Sequence, residues 1–288
     1  MLRGALVGAG RMGQLHLRKL AAREDVEVVA VVDPKADRTD GVLWKDSVPD
    51  EVDFAVVASP SHTHFQIAKD LLERGIPCLV EKPLATTASE VHNLQHFDCL
   101  SVHQVERFNP ALEVLPDPLH LTYFKSNRLA AWTSRGTDVD VLLDLMIHDL
   151  DLFLYWVDSP VVEVRACGVS VKSDGLDVVE AWLETESGVV GTFCASRLSQ
   201  KKERTLRLVD RESYWKIDLA SGASHSVDWR AGDTKPVALL EPSGDSIERF
   251  HDAFFAAVEK RRPYPCPASE AFATLSILEK IRLAVRKQ

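Results

Sequence analysis

Gly8-Ala9-Gly10-Arg11-Met12-Gly13 follows directly on the apolar run Leu2 to Val7, and that junction leaves few folds open. The run reads as a short buried strand. The glycines fit a tight turn, and apolar Met12, Leu15, Leu17 and Leu20 suggest a helix after it. In G-x-G-x-x-G the first glycine permits the turn and the second lets a pyrophosphate approach the backbone. The third lets helix and strand pack closely, and the helix N-terminus offers N–H groups to an anion. A second apolar run, Glu27 to Val32, ends at Asp33. That is where an acid would accept hydrogen bonds from an adenosine ribose. The expected ligand is a dinucleotide. Asp33 also places negative charge where a 2′-phosphate would lie, so NAD is expected over NADP, with Lys35 close enough to soften the preference.

The alternation continues. Strands are expected over 52–58, 76–80 and 99–102, with helices opening near His64 and over 89–97. Strands alternating with helices imply a parallel, doubly wound sheet. Its strand ends carry Gly8, Asp33, Ser59 and Lys82. Beyond Val102 the rhythm changes. A helix is expected from Asp138 to Trp156, then strands from Val161 to Trp229 with one wetter face, then two helices. The expected fold is α/β, with a Rossmann domain over 1–102. An α+β domain with an open, mostly antiparallel sheet is expected over 103–288. The second domain is expected to bind substrate and to support oligomerisation.

Composition removes several classes. Apolar residues are 45% and charged residues 27%, a globular rather than a disordered balance. The net charge of −9 argues against a nucleic-acid surface. No apolar run is long enough to cross a bilayer, and with a strand expected from Leu2 no leader is expected. Five scattered cysteines without a C-x-x-C suggest reduced thiols and the cytoplasm. His62 and His64 lack accompanying ligands, so no metal is expected.

Two places carry reactive groups. Lys82 ends a strand and precedes Pro83, which biases it toward extended backbone. Asp144 and His148 are four apart, on one face of the expected helix, where a carboxylate can orient an imidazole. Arg107, Lys125, Arg128 and Arg135 precede that helix, and such a cationic group suits a diphosphate.

Gly8 to Gly13, Ser59-Pro60-Ser61-His62-Thr63-His64, Glu81-Lys82-Pro83-Leu84-Ala85 and Asp144-x-x-x-His148 occur in this order. Together they resemble the GFO/IDH/MocA oxidoreductases. The resemblance implies a nicotinamide-dependent sugar or polyol dehydrogenase, with Lys82, Asp144 and His148 as the catalytic set. It implies that Ala9, Arg11, Met12, Ser59, Pro60, His64 and Glu81 join the glycines and Asp33 around NAD. His103 to Ala111, Arg135 to Val141 and Asp144 to Asp151 are similar to the UDP-N-acetylglucosamine 3-dehydrogenase branch. That branch prepares a diamino sugar for lipid A. It implies a sugar-nucleotide substrate held by Glu106, Arg107, Asn109, Arg128, Arg135, Asp144 and His148, and a homodimer or homotetramer. Two alternatives stay open at this point: a dehydrogenase of an inositol, free sugar or cyclic diol, and an NAD(H)-sensing protein without catalysis. Either Lys82 or His148 could be the base.

Overall fold

The computed structural model describes residues 1–34, 43–133, 139–230, 236–238 and 243–286. Among these, strands β1 (Leu2–Val7), β2 (Val26–Val32), β3 (Phe54–Val57), β4 (Cys78–Val80) and β5 (Leu100–Val102) form a parallel sheet. Its order is β2-β1-β3-β4-β5. The strands read as continuous apolar runs because both faces are covered, and β3 and β4 are wholly buried. From β1 the chain passes to β2 on one side and β3 on the other. This switch point opens a crevice at the C-terminal strand ends.

Helix α1 (Arg11–Ala21) follows β1. Its buried positions are Gly13, His16 and Leu20, whereas Met12 is exposed. The inward stripe is therefore turned from the one that the leucines suggested. Helix α2 is His64–Glu73. Helix α3 is only Ala88–His92, shorter than the expected 89–97. It starts at a capping box in which the Glu90 N–H donates to Thr87 Oγ1 at 3.3 Å.

A second sheet has the order β13-β12-β11-β10-β6-β9-β8-β7-β14. Its strands are β6 (Tyr123–Leu129), β7 (Val161–Val169), β8 (Val178–Thr185), β9 (Val190–Ser196), β10 (Glu203–Val209), β11 (Ser213–Asp218), β12 (Ser224–Asp228), β13 (Val237–Ala238) and β14 (Val285–Arg286). Pairing is antiparallel except for β6 with β9 and β14 with β7. One face packs on α4 (Ile147–Trp156), where Phe124, Phe153 and Phe193 meet with ring centroids 5.3 to 5.6 Å apart. The expected helix from Asp138 is wound differently. Leu142–Met146 forms a π-helical turn ahead of α4, and Asp138 lies outside the described residues.

Two helices follow, α5 (Ser246–Val258) and α6 (Ala268–Ala284). The chain divides into one unit of 1–104 with 247–272 and another of 105–246 with 273–288. This division sets the boundary at 104/105, beside the expected 102/103, and adds 247–272 to the first unit. The reason lies in the apolar and charged faces of α5. Phe254 and Phe255 pack on Phe54, with centroids 6.0 and 4.9 Å away, and Asp252 accepts from Arg23 at 2.6 Å. Burying two phenylalanines contributes about 3–6 kcal/mol, which outweighs nearness in sequence.

Candidate active site

In the first unit, Gly8 has φ +94°, and a Cβ on it would lie 2.5 Å from the Ser59 nitrogen. A Cβ on Gly13 would lie 1.9 Å from the Gly8 carbonyl oxygen. A Cβ on Gly10 would meet nothing within 4 Å, because Gly10 faces open space at the start of α1. No side chain caps that helix end. Two glycines thus make the turn, and the third leaves an anion room at the helix N-terminus.

Gly8, Gly10, Arg11, Met12, Asp33, Ser59, Pro60, His64, Glu81 and Lys82 line one groove of about 1130 Å3. Ala9 and Gly13 lie in the turn beside it. The Ala9 N–H donates to Asp33 Oδ2 at 2.7 Å, so the turn itself fixes the carboxylate. The groove suits a dinucleotide in size, open helix end and acidic residue. Asp33→Ala is expected to narrow the preference for NAD over NADP, as read by fluorescence titration of both cofactors. Tighter NADP binding by the unmutated chain would refute that role. Lys35 lies outside the described residues.

His64 joins two strand-end turns. Its Nε2 is 2.8 Å from the Ser59 carbonyl oxygen and its Nδ1 is 2.7 Å from that of Pro83. The turn after Lys82 is thereby tied to the turn after β3. Lys82 itself is half-buried in the groove wall.

Behind Lys82 is a set that sequence reasoning missed. Glu81 Oε1 accepts from His16 Nε2 at 2.9 Å and from His103 Nδ1 at 2.8 Å. His16 Nδ1 lies 3.0 Å from His251 Nε2. A carboxylate only accepts, so both ring nitrogens facing it carry hydrogen. Burial keeps His16 neutral, so its Nδ1 accepts and His251 Nε2 donates to it. Burial is the largest influence on His16 and lowers its pKa against the opposing Glu81 bond; burial takes His251 down to about 2. Burial also works against ionisation of Glu81, but His103 and His16 outweigh it and hold the carboxyl well below its usual range. His16, Glu81 and His103 are also the one group of metal-type donors found close together among the described residues. The 2.8 and 2.9 Å contacts to a single oxygen are hydrogen-bond distances.

In the second unit, Asp140 Oδ1 accepts from the N–H groups of Leu142 and Leu143 at 3.2 and 3.3 Å. The Val141 N–H donates to Leu176. These bonds seat the π-helical turn that carries Asp144. His148 follows in the first turn of α4, and both side chains are half-exposed. Local π winding is common at functional sites.

The expected cationic group is corrected. On β6 side chains alternate, so Phe124, Ser126 and Arg128 face inward while Lys125 faces the other way. Arg128 is 2% exposed. Its Nε and Nη2 bond Asp149 at 3.0 and 2.7 Å, and its Nη1 bonds Glu106 at 2.8 Å. Arg107 forms a two-pronged pair with Asp151 at 2.6 and 2.7 Å. Both guanidiniums are thus matched by buried carboxylates. Burial is the largest influence on both of Arg128's partners. Arg128 outweighs it at Glu106, whose pKa is lowered, and does not at Asp149, whose pKa is raised. Asn109 donates to Glu106 and to the Leu219 carbonyl, which makes it a brace for the same cluster. Arg135 lies outside the described residues. Arg204, not anticipated, is 3.5 Å from Glu106 and is partly exposed, with its pKa lowered by burial and then by Arg128.

Comparison with known proteins agrees with this architecture. Residues 2–98 match the oxidoreductase family model with an NAD-binding Rossmann fold, and residues 119–212 match the GFO/IDH/MocA C-terminal domain. The chain is 28% identical to UDP-N-acetylglucosamine 3-dehydrogenase of Acidithiobacillus ferrooxidans, covering 99% of this chain and 97% of that one. The solved structure of that enzyme superposes with a TM-score of 0.90 over the same shares of the two chains. The chain is 32% identical to the rhizopine catabolism protein MocA of Rhizobium meliloti, over 95% of this chain and 92% of that one. With both family domains matched in order, this chain belongs to the GFO/IDH/MocA family of NAD-binding oxidoreductases.

Proposed function

We propose that this chain is an NAD-dependent dehydrogenase that oxidises the 3-hydroxyl of UDP-N-acetylglucosamine. The observation that carries the reading is the likeness to the Acidithiobacillus enzyme, which runs through both domains and leaves almost none of the chain aside. When bound, NAD supplies the hydride acceptor. The open N-terminus of α1 would hold its pyrophosphate and Asp33 its adenosine ribose. In this reading His148 takes the hydroxyl proton, Asp144 orients His148, and Lys82 donates a hydrogen bond to the oxygen as negative charge grows there. Glu106, Asn109 and Arg128 shape the substrate unit from within rather than touch phosphate. Assembly into a homodimer or homotetramer is part of the reading. Among the described residues no helix is long and apolar enough to cross a membrane.

One observation favours a second reading, a dehydrogenase of a neutral polyol. Arg107 and Arg128 are matched by carboxylates, which removes part of the charge argument for a diphosphate. One assay separates the two. UDP-N-acetylglucosamine with NAD and a carbonyl trap is expected to give absorbance of reduced nicotinamide and a raised melting temperature. Turnover and stabilisation by an inositol, with neither from the sugar nucleotide, would replace the first reading with the second.

A further inference from the structure

We propose that Glu81 makes the cofactor groove favour the oxidised, cationic nicotinamide over the reduced, neutral one. The proposal rests on NAD binding in this groove and not on the sugar substrate.

Three observations carry it. First, Glu81 is a buried carboxylate held ionised by two N–H donors. Burial keeps His16 and His251 neutral, and His16 Nε2 and His103 Nδ1 both donate to Glu81 Oε1. His103 Nε2 and His251 Nδ1 are buried without hydrogen-bond partners. Second, that charge faces the groove. Glu81 lines the same groove as Gly8, Asp33 and Lys82, yet its side chain is only 9% exposed. Solvent therefore screens it weakly on the protein side. Third, Lys82 puts an ammonium in the same wall. Without a neighbouring anion that cation would oppose a positively charged ring. The two histidines give Glu81 the hydrogen bonds it needs to stay ionised in an apolar setting, so it offsets Lys82 without exposure to water.

NAD+ and NADH differ by one charge on the nicotinamide, so the ratio of their dissociation constants reads the local field. Full-length wild-type chain and Glu81→Gln should be titrated with each form by fluorescence. Glutamine keeps the size and an acceptor oxygen but removes the charge. The NAD+/NADH dissociation-constant ratio is expected to rise about tenfold in Glu81→Gln, a size in keeping with one charge acting across a partly buried groove. NADH affinity is expected to change by less than about twofold, against that same charge. Lys82→Gln, at a half-exposed position, is expected to move the ratio the opposite way, which keeps the test decisive if Glu81→Gln does not fold. Equal loss of both affinities in Glu81→Gln would make the array merely structural and overturn the proposal. So would an unchanged ratio in Lys82→Gln. One equivalent of zinc bound through His16, Glu81 and His103, read by metal analysis of the purified chain, would replace the anion with a cation and overturn it as well. Because wild-type binding of both forms is measured alongside, such failures leave the cofactor assignment standing.

Discussion

Lys82→Met is expected to lower turnover by about a hundredfold to a thousandfold, the range for losing one donor to a developing oxyanion. Methionine keeps the length of the stem and deletes the ammonium. The pyrophosphate and ribose positions, at α1 and Asp33, are untouched, so NAD affinity should change far less than turnover. His148→Asn is expected to cost about a hundredfold to ten-thousandfold through loss of general-base catalysis. Single-turnover absorbance of reduced nicotinamide separates chemistry from binding and release. A His148→Asn chain that runs at normal speed would leave Lys82 as the base.

Arg128→Met is expected to destabilise the second unit by about 3–5 kcal/mol, the usual cost of stripping one partner from a buried ion cluster. The substitution leaves Glu106 and Asp149 both buried beside the partly exposed Arg204. Lys125→Met, three residues before Arg128 on the opposite face of β6, is expected to cost less than about 0.5 kcal/mol. Denaturant melts of the two variants check both values. Equal midpoints would mean that the Arg128 cluster does not stabilise the second unit.

The first unit was legible because its signals are local. A glycine turn after an apolar run, an acid at the end of the next strand, and a lysine before proline each declare themselves within a few residues. The Glu81 array was not legible, because its members at 16, 81, 103 and 251 meet only in the folded chain. One hint was present. His16 lies three residues after Gly13 and four before Leu20, on the face that must pack against β1, and the nearby leucines drew the stripe elsewhere. The second unit misled for a different reason. Arg107 and Arg128 look like surplus charge in sequence, and Asp149 and Asp151 look like surface acids. The inward pleat of β6 and the buried side of α4 bring them into ion pairs that no periodicity encodes. The π-helical turn before α4 is likewise a matter of local winding, since the apolar pattern of 142–146 is common to π and α geometry.

The division of the chain into interleaved units bears on how it is made. Residues 105–246 leave the ribosome before α5 does, yet α5 supplies Phe254, Phe255 and His251 to the unit that begins at Met1. The nucleotide-binding half therefore emerges first and is completed nearly last. Until then Phe54 and His16 lack the cover that α5 gives them. A nascent chain halted between Gly13 and Ser246 carries every glycine of the turn but not the helix that closes the unit. Vectorial synthesis thus supplies α5 to the first unit only after most of the second sheet has been made, and β14 joins that sheet last.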